Sequence, residues 1–199
     1  MATDPLLNEA PGGPRQAILN AAIRLFGKQG YTGTSMRDIA NEVGVLPGSL
    51  YAHIQSKEAL LVEIVADGIG RFLGAIRSHV DAGATSKERL RRMIIAHLEV
   101  VADNPERSLV VFHQWRFLSE ANLPEAIERR RAYEKAFIDV IQAGVDAGEF
   151  RARLDKRLAV FTILGALNWA PEWYSPQGKL GPREIGETIA DTLISGITD

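Results

Sequence analysis

Apolar residues recur along nearly the whole chain at intervals of three and four, the spacing that lines one face of an α-helix, and no stretch alternates apolar with polar residues as a strand would. The first run begins at Pro14, a residue suited to an opening turn. It sets Ile18, Ala21, Ala22, Leu25 and Phe26 on one side and stops at Gly30. A short second helix follows, with Ser35 and Asp38 at capping-box spacing and Ile39, Ala40 and Val43 facing inward up to Gly44. A third starts at Pro47 and carries Leu50 and Ile54 inward, and from an N-cap at Ser56 a fourth runs to about Val80.

Beyond "DAGATS" the pattern predicts a helix capped by Ser86 and reaching about Asp103, then another from Pro105 to about Leu118. A long helix from Pro124 to Gly148, an apolar one capped by Asp155 and a last one from Pro182 to Ile197 complete the chain. The predicted fold class is all-α, three small helices followed by six.

Composition narrows the setting. Of 199 residues, 46% are apolar and 24% charged, as in globular proteins. The absence of cysteine removes disulfide frameworks and thiolate metal sites and fits a reducing compartment, so the cytoplasm is the expected location. The start, "MATDPLLNEAPGGP", lacks the basic and apolar regions of a secretory signal and reads as a disordered arm over residues 1–13. "LAVFTILGALNWA", 158–170, is too short for a bilayer and holds Thr162 and Asn168, so it is expected to be buried or to face another subunit rather than a membrane.

Charge is uneven. Residues 14–57 hold five basic side chains (Arg15, Arg24, Lys28, Arg37, Lys57) against Asp38 and Glu42, +3, which leaves −5 elsewhere in a chain of net −2. A basic segment joined to an acidic body suits a part that meets phosphate and a part that does not.

Residues 35–54, two short helices joined at Gly44, have the spacing of a helix-turn-helix, whose second helix enters the DNA major groove. A reading helix must expose small or polar groups early, and Pro47, Gly48 and Ser49 do so while Leu50 holds the helix to the core. Tyr51 and His53 would project sideways toward phosphate or base edges, and Lys57 toward another phosphate. The plainer alternative is a helical hairpin whose polar residues face water, a surface that gains little from an exposed proline, glycine and tyrosine.

The segment "AILNAAIRLFGKQGYTGTSMRDIANEVGVLPGSLYAHIQSKEALL" resembles the N-terminal domain of TetR-family transcriptional regulators, with its "TSxRDIA" helix start, "GSLYxH" reading helix and "SKEALL" entry into the fourth helix. The resemblance implies a ligand-responsive repressor that binds palindromic, double-stranded operator DNA as a homodimer. It implies DNA contacts from Thr34, Ser35 and Arg37, from Leu46, Pro47, Gly48 and Ser49, from Tyr51 and His53, and from Lys57. Domains would then be 14–57, DNA-binding, and 58–199, ligand-binding and dimerising. Leu46 stands where many relatives have a capping serine, and Ile54 where phenylalanine is common.

The C-terminal part, 167–197, is similar to a TetR subgroup that responds to acyl-CoA thioesters. Phe112, Trp115, Trp169 and Trp173 could line a pocket for a large apolar effector, with His113, Arg116 or Asn168 orienting its polar end. Core or dimer packing is the other use for these aromatics, the expected one for Trp173 and an open question for Trp169. Small residues in the last two helices, Gly165, Ala166, Gly186 and Gly196, suit close packing across a two-fold axis.

"ERRRAYEK", 128–135, reads as a solvated helix face. Enzyme signatures are lacking: His53, His79, His97 and His113 form no ligand pair, and no serine sits in a nucleophile elbow. Gly68, Gly70 and Gly74 follow no strand, so no phosphate loop is expected, and an all-α metal enzyme built on carboxylates finds no Glu-x-x-His pair to support it, so neither cofactor nor metal is expected. A second function class remains, a ligand-binding or protein-interaction module that keeps the helix-turn-helix as scaffold.

Overall fold

A computed structural model describes residues 12–78 and 83–198; most of the expected arm, His79 and the predicted helix end at Val80 lie outside the described residues. Among the described residues there are nine α-helices and no strand. They are α1 (Gly13–Gln29), α2 (Met36–Val43), α3 (Pro47–Leu50), α4 (Lys57–Ser78), α5 (Ser86–Asp103), α6 (Pro105–Leu109), α7 (Leu123–Asp146), α8 (Lys156–Trp173) and α9 (Pro182–Ser195).

Local chemistry sets most boundaries. Ser35 and Asp38 form the expected capping box at the start of α2. Its end is a Schellman turn: Gly44 adopts φ 81°, and Val45 N–H returns to the Ala40 carbonyl at 3.0 Å. Asp155 caps α8 through the Leu158 N–H at 3.0 Å.

Three expectations are corrected. The cap of α5 is Thr85, in a capping box with Glu88; Ser86 lies inside the first turn, where its N–H and that of Lys87 are bonded by the Glu149 carboxylate at 3.0 and 2.9 Å. The helix predicted to reach Leu118 is α-helical only to Leu109. It continues as a π-turn over Val110–Gln114 and a 3₁₀ turn over Trp115–Phe117. Gly186 faces α5 within the same subunit, where a Cβ would lie 2.9 Å from Ile95 Cα, so it is not part of an exposed surface.

The chain forms two compact units. The described residues up to Gly68, with Glu106–Ala126, make one; Ile69–Pro105 with Ile127 onward make the other. The first is built on Ile18, Phe26, Ile39, Leu50, Leu60, Leu61 and Ile64, and the second on Phe72, Leu90, Met93, Ile94, Phe137, Ile163 and Leu167, all essentially inaccessible.

Candidate nucleic-acid interface and effector site

The helix α3 has only four residues, too few to persist by itself. Leu50, 0% exposed, and Ile54, 5% exposed, fix it to the unit. Burial of one such side chain is worth about 1.5–3 kcal/mol, more than the ~1 kcal/mol of any single backbone hydrogen bond in the turn. Turns at Ala52, His53 and Ile54 carry the helical path on, with Ile54 N–H bonded to the Leu50 carbonyl at 2.9 Å.

With Leu50 turned in, Leu46, Pro47, Gly48, Ser49 and Tyr51 are all exposed, and Arg37 is exposed on α2. His53 is half-buried. Nothing lies within 4 Å of where a Gly48 Cβ would stand, so the backbone there is open to close approach. Of the other predicted contact residues, Ser35 is exposed at the start of α2. The Asp38 carboxylate, bonded by the Ser35 hydroxyl and N–H at 2.7 Å each, is held below the usual carboxylate pKa.

Two predicted contacts have a different place. Thr34 is buried at 2% exposure, and its hydroxyl donates to the Gly30 carbonyl at 2.9 Å while accepting from Gln29. It positions the turn before α2. The Lys57 ammonium donates to the carbonyls of Tyr31 and Thr34 at 2.9 and 2.8 Å and lies 4.1 Å from the centre of the Tyr31 ring. Lys57 therefore clamps the α1–α2 turn, with one N–H left over for an outside acceptor.

Tyr31 is also where the segment after α6 meets the helix-turn-helix. Its N–H donates to the Gln114 side-chain oxygen at 3.0 Å, and its ring stacks on Phe117 and meets the edge of Phe26. Burial, with Glu58 nearby, raises the Tyr31 pKa. Glu58 accepts from Ser119 N–H and Asn122 at 2.8 Å each, bonds that lower its pKa. Arg107 pairs with Asp67, and Gly27 and Gly68 admit Glu106 and Val111 at distances no Cβ would allow.

The candidate effector residues Phe112, His113, Trp115 and Arg116 lie on this same segment, in the π-turn and just beyond it. Phe112 is buried, His113 and Trp115 are half-buried, and the Arg116 guanidinium sits over the Trp115 ring at 5.6 Å. The other two candidates, Asn168 and Trp169, are on α8 in the second unit. Asn168 has its side-chain oxygen buried with no hydrogen-bond partner among the described residues, and Trp169 is 57% exposed.

Tyr31 and Gln114 are functional candidates that local sequence patterns miss, because the pair is separated by 83 positions. A second such pair lies in the other unit, where Tyr133, far from facing water within "ERRRAYEK", is buried with its hydroxyl 2.6 Å from His97 Nδ1. Among the described residues no group of three or more metal-ligating side chains comes together, and no helix is long and apolar enough to cross a membrane.

Comparison with known proteins places this geometry. Residues 18–64 match the model of bacterial regulatory proteins of the tetR family, and residues 83–197 match the tetracyclin repressor-like C-terminal domain. The chain is 29% identical over 190 residues to the HTH-type transcriptional repressor KstR2 of Mycolicibacterium smegmatis, covering 94% of this chain and 92% of that one. The structure of the ketosteroid transcriptional regulator KstR2 of Mycobacterium tuberculosis superposes with a TM-score of 0.88 at 27% identity, over 97% of this chain and 99% of the other. AibR, solved in complex with isovaleryl coenzyme A and operator DNA, gives 0.78 at 28% identity over 92% and 97%. Transcriptional repressors are not a class of enzymes. With both its parts matched in this way, the chain belongs to the TetR family of helix-turn-helix transcriptional regulators.

Proposed function

We propose that residues 14–57 bind a palindromic operator as one half of a homodimer, and that an acyl-CoA thioester received by residues 58–199 releases it. The observation that carries the DNA contact is the exposed row Leu46, Pro47, Gly48, Ser49 and Tyr51 set over the fully buried Leu50. Arg37, Ser35 and His53 flank that row, and Lys57 and Thr34 act by holding the turn beneath it. Two such units in a dimer would meet successive major-groove faces, roughly 34–36 Å apart.

Support for a homodimer comes from α8. Leu158, Phe161, Trp169 and Trp173 are 61%, 47%, 57% and 47% exposed along one side of it, with Gly165 and Ala166 exposed among them. An apolar stripe of this length on a lone subunit is costly, and small residues within it allow a second helix to come close.

The thioester reading draws on the AibR complex with isovaleryl coenzyme A, and on two aromatic residues near the π-turn, Phe112 and Trp115. Trp115 is half-buried beside the buried Phe112, and His113 and Arg116 stand next to them for polar groups. Asn168 is a ligand contact proposed in its own right, on the strength of its unpartnered oxygen, while its neighbour Trp169, first a ligand candidate, is assigned to the dimer stripe. An effector that disturbs the π-turn rotates Gln114 away from Tyr31, and a coupling of about 1–3 kcal/mol there changes operator affinity about 5- to 150-fold.

The test is a paired substitution, Arg37→Ala with Tyr51→Ala. Both residues are exposed, so the variant should melt like the wild type while losing operator binding. Retained binding by the variant would move the DNA contact away from these two residues, and failure of the wild type to bind any selected duplex would favour the scaffold-only module.

A further inference from the structure

We propose that Leu46 is a sequence-reading residue, an apolar side chain that packs against the 5-methyl group of a thymine in the major groove. It has this role only if the chain binds DNA as proposed above, and it adds which base is read at one position.

Leu46 is 76% exposed, more than any other large apolar side chain among the described residues. A single exposed leucine is ordinary, but this one stands immediately ahead of the reading helix, in extended backbone with φ −69° and ψ 142°. Its carbonyl accepts the Ser49 N–H at 2.9 Å, so Leu46 is the N-cap of α3, and its side chain makes no capping bond. Ser, Thr, Asp or Asn would supply that bond. A leucine forgoes it and presents a branched apolar group to the outside.

The surroundings favour a base edge as its partner. Pro47, Gly48 and Ser49 are small and exposed, Gly48 has open space around it, and Leu50 on the inner side fixes the direction in which the turn points. Residues at the start of a reading helix are the ones that reach base edges. An aliphatic side chain gains nothing from a phosphate, and against guanine, adenine or cytosine it would dry hydrogen-bonding groups without replacing their partners. Thymine alone carries a methyl group in the major groove.

The experiment begins with duplexes selected from a random library by the wild-type protein and by Leu46→Ser and Leu46→Val. Each thymine of the enriched half-site is then replaced in turn by deoxyuridine, which removes only the methyl group. The wild type should lose affinity about fourfold at one thymine per half-site, the effect of returning one buried methyl group to water. Leu46→Val should keep part of that loss and Leu46→Ser none, both measured at a lowered salt concentration that keeps weakened binding visible. Equal affinity for every deoxyuridine duplex, or an undiminished penalty in Leu46→Ser, would overturn the assignment to Leu46 and leave DNA binding intact. Failure of the wild type to enrich any duplex would instead remove the DNA-binding function, and this assignment with it.

Discussion

His97 Nε2 lies 3.1 Å from the backbone carbonyl of Leu167, and the availability of that carbonyl is explained by Pro171 four residues on. Proline has no N–H, so the helical donor for the Leu167 carbonyl is missing from α8, and His97 supplies one from α5. A carbonyl can only accept, which puts the imidazole proton on Nε2 and leaves Nδ1 to accept from the Tyr133 hydroxyl at 2.6 Å. Phe72 of α4 packs on the ring at 4.7 Å, so one neutral histidine joins four helices.

Acid should loosen this joint. Burial pushes the His97 pKa down to about 3, with the bond to Leu167 opposing the shift, while the unfolded chain titrates near 6.5. A depressed folded pKa gives stability that is complete above pH 6.5 and falls as pH drops toward 3, by about 1.4 kcal/mol per pH unit. The difference between wild-type and His97→Phe unfolding free energies, followed from pH 7 to 4 by urea denaturation, should show this slope. A difference that does not change with pH would contradict it.

Lys57 gives a test in the absence of DNA. Loss of its two bonds to Tyr31 and Thr34 in Lys57→Ala should cost about 2 kcal/mol and lower the melting temperature by several degrees. A lysine that only met phosphate would leave the melting temperature unchanged on replacement and affect DNA binding alone.

Two helical glycines should respond to alanine with opposite sign. Gly186→Ala puts a methyl group against the Ile95 backbone and should destabilise by about 1–3 kcal/mol. Gly74 has nothing within 4 Å, so Gly74→Ala should stabilise α4 by about 0.5–1 kcal/mol. Chemical denaturation of the two variants checks both.

The proposed dimer face predicts a change of mass. Phe161→Glu puts a charge in the exposed stripe of α8 and should turn a dimer into a monomer in sedimentation, with the helix content retained. Unchanged sedimentation would move the interface elsewhere.

The sequence carries the fold well because helical period and caps are local. Ser35 with Asp38, Gly44, Pro47 and Asp155 each mark a boundary where the structure has one. The exposed row before Leu50 was legible for the same reason. What lay beyond reach depends on distant partners: Gln114 bonded to Tyr31, Lys57 turned inward to two carbonyls, and Tyr133 buried on His97. The π-turn at Val110–Gln114 carries no mark in its own apolar sequence, and its partners in α4 and the α1–α2 turn are far away along the chain. Ser86 and Thr85 compete as caps at adjacent positions, and only the Glu88 carboxylate, bonded to the Thr85 N–H, decides between them.

The central claim is control of DNA binding by a small effector, and fluorescence anisotropy of a labelled duplex tests it most directly. At one fixed salt concentration the protein should bind a selected palindromic duplex at least about 1,000-fold more tightly than random sequence. Addition of acyl-CoA thioesters of graded chain length should weaken the specific complex about 5- to 150-fold for at least one of them. Equal affinity for selected and random duplex, or an operator affinity that no thioester alters, would contradict the account.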